Sequence, residues 1–174
     1  MARIGRGLLV LLVAAAGQAV ALEGEAKGQG QLLSPRLVGH WSLVSFEAAG
    51  GSATEFPLGR DVSGQLIYDA ASHMAVQIMK LGRPSFASGD QGAGTAEEVS
   101  AAFQGYVAYF GTYVVDERSR VVTHRIAGSL FPNWVGNEQR REIVLEGNRL
   151  TLSTPPMLFQ GKQRVFRLAW KRME

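Results

Sequence analysis

The chain has 174 residues, of which 46% are hydrophobic and 19% charged. That suits one ordinary domain and excludes a disordered chain or a coiled coil. It holds no cysteine, which excludes a disulfide scaffold, a Cys-ligated zinc or iron–sulfur site, a thiol nucleophile and a lipid-modified cysteine.

Met1 to Ala21 reads as a secretory signal peptide. Arg3 and Arg6 make a positive start, Leu8 to Ala16 is an apolar run, and Ala19-Val20-Ala21 is a small-x-small cleavage site. The run is shorter than the roughly 20 residues needed to span a bilayer. Cleavage after Ala21 removes two of the 18 basic residues and none of the 15 acidic ones, leaving 16 against 15. A net charge near zero makes no case for nucleic-acid binding. The expectation is a periplasmic or secreted protein with no transmembrane segment in its mature part. Its oligomeric state is not legible.

Residues 22–36 lack periodicity and read as a flexible leader, with the domain at 37–174. Leu37 to Ala48 is rich in aromatic and β-branched residues and predicts a first strand. Ala53 to Phe56 predicts a short second strand, stopped by Pro57. Gln65–Tyr68 and Met74–Lys80 flank a polar turn and predict a hairpin. Leu81 to Gly94 reads as a loop. Thr95 and Glu98 form a capping box, and Val99, Ala102, Phe103, Tyr106, Val107 and Phe110 follow helical spacing. With Gly111 as a stop, this predicts a helix over 95–110 with one apolar face.

Strand signals resume at Thr112–Val115 and Arg120–Leu130, on either side of a polar turn. Phe131 to Glu138 is a loop with two aromatics. Arg140–Glu146 and Arg149–Thr154 flank Gly147-Asn148, and Gln163–Arg172 is a last strand. Eight or nine strands in consecutive hairpins favour an antiparallel meander. Such a meander either packs on a second sheet or closes into a barrel, and closure removes its exposed edges. The expected fold is therefore all-β with one helix, an antiparallel up-and-down barrel of about eight strands, the helix over one end. A barrel of that size has room for one small ligand.

Gly39-His40-Trp41 resembles the lipocalin signature, in which the Trp closes the barrel base under an Arg from the last strand. The resemblance implies Trp41 for the base, with Arg167 or Arg172 as partner and mid-strand Arg167 the better placed. Gly64–Tyr68, Tyr109–Tyr113, Val121–His124, Ser129–Gly136 and Arg149–Pro156 together resemble the lipocalin-like domain family of bacterial and fungal proteins, across Leu37 to Arg172. The second lipocalin signature, Thr-Asp-Tyr, is absent. The resemblance implies small-molecule binding by analogy with lipocalins.

His40, His73 and His124 fall on different elements without ligand spacing, so no metal and no cofactor is expected. His40 should face away from Trp41, and His73 sits at a hairpin tip. His124 alternates with Val122 and Ile126, as a satisfied wall histidine or as a polar group orienting a ligand. Tyr113 falls opposite it across a hairpin. Arg141 alternates with Ile143 and Leu145, either pointing into the barrel or snorkelling to water. Phe131, Asn133 and Trp134 form a mouth loop over the ligand or a fold-back under the barrel. No nucleophile elbow, dinucleotide loop, phosphate loop or carboxylate pair occurs.

The leading expectation is an exported barrel binding a small apolar or amphiphilic molecule. Tyr113, His124 and Arg141 would orient it, and Phe131, Asn133 and Trp134 would line the mouth. The alternatives are an isomerase or cyclase with His124 and Tyr113 as its proton-transfer pair, or a structural envelope protein with a filled barrel.

Overall fold

Alternating polar and apolar residues put every second side chain on one face of a strand, and here that face turns inward. The computed structural model describes residues 32–50, 53–159 and 161–174. The predicted signal peptide and leader residues 22–31 lie outside the described residues. The strands are β1 (Gly39–Ala49), β2 (Val62–Tyr68), β3 (His73–Lys80), β4 (Tyr106–Asp116), β5 (Val121–Ser129), β6 (Glu138–Glu146), β7 (Arg149–Ser153), β8 (Met157–Phe159) and β9 (Lys162–Arg172). Two α-helices, α1 (Leu33–Leu37) and α2 (Ala96–Gln104), and one 3-10 turn (Pro132–Trp134) accompany them.

From β1 to β7 each strand pairs antiparallel with the next; β9 then joins β7 back to β1. This closes an eight-stranded barrel, with β8 as a short hairpin arm on β9. Bulges at Val44 in β1, and at Ala127 in β5 opposite Phe110 and Gly111, bend those strands around the curve. Gly111 is required there: a Cβ would overlap the backbone oxygen of Arg125.

One end of the barrel is shut. Trp41 and Trp170 are fully buried, beside Leu66 and Leu150. Helix α1 packs there through buried Leu33 and Leu37, and Trp41 Nε1 donates to the Leu37 carbonyl at 2.9 Å. The first turn of α1 is capped from far along the chain. Glu117 accepts from the Leu33 and Ser34 amides at 2.7 and 2.8 Å, and from the Ser34 hydroxyl at 2.6 Å. The expected flexible leader is thus corrected at its end, where residues 33–36 form helix because two leucines have a core to enter.

The arginine over Trp41 is Arg172, not Arg167. Its guanidinium lies 4.1 Å from the ring centroid and donates to the Val38 and Arg36 carbonyls. Register decides this. Arg172 pairs directly with Trp41, whereas Arg167 pairs with Glu47 and alternates outward between Phe166 and Leu168. Gly39 makes room: its φ is +136°, and a Cβ would meet Arg172 Nη1 at 2.5 Å.

Three further expectations are corrected. The helix ends at Gln104 and Tyr106–Phe110 are strand, since an aromatic and β-branched run fits helical spacing and alternation alike. Gly105 is the stop, where a Cβ would press on Arg83 Cδ at 2.7 Å. Residues 53–56 make only a single bridge, Ala48 to Glu55. Strand β8 has no counterpart in the sequence reading.

Candidate functional site

The inward faces of the strands do not meet at the centre. They enclose a cavity of about 920 Å³, walled by Val76 and Ile78 from β3, Tyr109 from β4, Leu152 from β7 and Leu168 from β9. Opposite the shut end its mouth is bounded by α2 through Ala101 and Phe103, by Phe131 and Trp134, by Pro57–Gly59 and by β8. Side chains therefore do not fill this barrel. The volume is that of a pocket for a small organic molecule.

Helix α2 forms where its capping box directs: Thr95 Oγ1 accepts from the Glu98 amide, and Glu98 Oε2 accepts from the Thr95 amide. No residue of α2 is buried, and Phe103 is 44% exposed while facing the cavity. The helix is a partial cover rather than a plug.

Toward the shut end a polar cluster interrupts the apolar wall. His124 is buried, with Nε2 at 2.6 Å from the Tyr68 hydroxyl and Nδ1 at 3.1 Å from the Tyr109 hydroxyl. The half-buried Arg141 enters beside them, donating to the Gln139 side-chain oxygen at 2.6 Å and to the Arg140 carbonyl at 2.8 Å. Burial, reinforced by the Arg141 charge, pushes the His124 pKa down to about 3, so the ring is neutral at ordinary pH. Burial also raises both tyrosines, which stay protonated. The cluster thus offers neutral dipoles and one cation.

The residues expected to make the site divide. His124, Arg141, Phe131 and Trp134 line the cavity. Trp134 packs edge-on against both Tyr109 and Phe131, which ties the mouth loop to the cavity wall. Tyr113 stands directly opposite His124, but its hydroxyl donates to the Asp69 carbonyl at 2.9 Å and its ring packs on Tyr68. It belongs to the base. Asn133 is exposed, away from the cavity, and its carbonyl accepts from the Asn137 side chain at 2.7 Å. These two placements are corrections: a residue paired across a strand or set on a loop need not reach the lumen.

Tyr68 and Tyr109 are the functional candidates missed by sequence reasoning. Tyr68 was legible in principle, because it alternates inward with Leu66 on β2. Tyr109 was hidden by the over-extended helix. Among the described residues no group of three or more His, Asp or Glu side chains is placed to hold a metal.

An eight-stranded barrel shut by a Gly-x-Trp and a last-strand arginine, with an open lumen, is the lipocalin arrangement, and residues 38–173 match the lipocalin-like domain family. The chain belongs to that family. A curated relative is a protein of Aspergillus oryzae (strain ATCC 42149 / RIB 40) named 4'-hydroxy-3'-methoxypropiophenone carrier protein ppsC. The two are 34% identical over 108 residues, 58% of this chain and 96% of the relative. Membership in the family and likeness to a carrier support ligand binding in general.

Proposed function

We propose that this lipocalin-like protein holds a small apolar or amphiphilic molecule in its barrel lumen, and that it acts outside the cytoplasm after cleavage following Ala21. The observation that carries the first part is the open, largely apolar lumen with a polar cluster at its inner end, Tyr68–His124–Tyr109 with Arg141. Removing apolar ligand surface from water supplies affinity, at about 25 cal/mol per Å² before the costs of association. The polar cluster supplies orientation. The relative's named ligand, an aromatic ketone with phenol and ether groups, makes aryl ketones the first class to test.

Binding is favoured over acid–base catalysis by the state of His124. A base with a pKa of about 3, both nitrogens already bonded to tyrosines, has little driving force to take a proton at neutral pH.

Native mass spectrometry of the protein recovered from fractionated cells and medium tests both parts. The expected result is a chain beginning at Leu22 that carries, or takes up on adding an aryl ketone, one small molecule. A retained leader would overturn export. A protein that binds neither aryl ketones nor a fluorescent apolar probe would overturn lumen binding.

A further inference from the structure

We propose that the buried Tyr68–His124–Tyr109 chain is polarised in one direction, so that Tyr109 and Arg141 both present donors to the lumen and select a ligand whose head is a hydrogen-bond acceptor, a carbonyl or deprotonated oxygen, over one bearing a cation. This rests on the lumen-binding reading above and specifies the chemistry of its ligand.

Proton counting sets the direction. The Tyr68 hydroxyl is buried, and among the described residues its hydrogen-bond partner is His124 Nε2, at 2.6 Å. Its one proton therefore goes to Nε2, since any other orientation leaves a buried donor unmade. A neutral imidazole carries one N–H, so the ring proton is on Nδ1. Nδ1–H then donates to the Tyr109 oxygen, 3.1 Å away. The Tyr109 proton is left over. The Arg141 guanidinium lines the same cavity and can only donate. Tyr109 lines the cavity, so its proton turns to the lumen.

Arg141 adds to the same polarity. It spends one N–H on the Gln139 oxygen and one on the Arg140 carbonyl, and among the described residues no carboxylate pairs with it. Gln139 Oε1, the nearby acceptor, is thereby occupied. A ketone or oxyanion entering here completes Tyr109 and Arg141 together. An ammonium head meets donors and a like charge in an apolar setting.

Calorimetric titration of the purified protein with three ligands of one shape tests this: propiophenone, propylbenzene and 1-phenylpropan-1-amine. The ketone is expected to bind roughly ten-fold tighter than the hydrocarbon, as one well-made hydrogen bond allows, and the amine more weakly than either. The ketone and hydrocarbon affinities should converge in Tyr109→Phe and in Arg141→Met. Equal affinities for all three, or a ketone advantage that survives both substitutions, would overturn the selectivity while leaving lumen binding intact. Failure of all three to bind, propylbenzene included, removes the lumen reading and this one with it. Nitrogen-15 NMR of the unsubstituted protein reads the polarity without any variant: a protonated Nδ1 and bare Nε2 on His124 are expected, and the reverse overturns the proposal.

Discussion

The two ends of this barrel are built from the same kind of residue to opposite effect. At the shut end Trp41 and Trp170 have 0% and 1% of their surface exposed, and a helix, a stacked arginine and a long-range carboxylate cap lock them in. At the mouth Phe131 is 42% and Leu158 68% exposed, the first just before a 3-10 turn and the second on a three-residue strand. Aromatic and aliphatic side chains at the base stabilise the fold. The same side chains at the mouth leave the lumen accessible and give a ligand something to touch. Stability and access are separated along the barrel axis, as they are where loops on a rigid scaffold carry function.

Four measurements test that contrast. The largest effect is expected from acid. His124 has a folded pKa of about 3 against about 6.5 when unfolded, so the unfolded chain takes up a proton that the folded chain refuses. Stability from this site is complete above pH 6.5 and falls as pH drops toward 3, by about 4 to 5 kcal/mol. Denaturant titrations across that range should show the loss, and His124→Gln should flatten it; an unchanged slope would mean His124 is not held neutral. Next, Trp41→Ala should cost about 3 to 5 kcal/mol by opening a cavity at the base and removing the surface under Arg172. Unfolding free energy measures it, and a cost under about 1 kcal/mol would erase the distinction between the ends.

Smaller effects follow. Glu117→Ala should cost about 1 to 2 kcal/mol, the scale of a lost helix cap, with faster amide exchange at Leu33 and Ser34. Smallest in stability is Phe131→Ala at the mouth, within about 0.5 kcal/mol. Its effect should instead be weaker ligand binding, seen in the same titrations; a large destabilisation would make the mouth loop part of the core.

Much of this was legible locally. The inward run Val122, His124, Ile126 in β5 follows from strict alternation, which left Arg141 between the lumen and water, and the capping box at Thr95 marked where α2 begins. Where two periods fit one stretch, local reading failed. Tyr106, Val107 and Phe110 suit a helix face, but they alternate within β4 because β3 and β5 offer pairing on both sides. That error concealed Tyr109, and with it half of the histidine's partners.

Spacings of two to four residues fixed the alternation of β5, the turns and the start of α2; closure was one of two ways to bury the sheet's apolar face, and the tryptophan at the base came from the resemblance to lipocalins. Long-range register, by contrast, puts Arg172 rather than Arg167 over that tryptophan, and makes Tyr68 and Tyr109 rather than Tyr113 the partners of His124. Those pairings join residues on different strands, as far apart as Trp41 and Arg172. Bulges and register set them, and for Trp41 and Arg172 that register exists only once β9 has met β1.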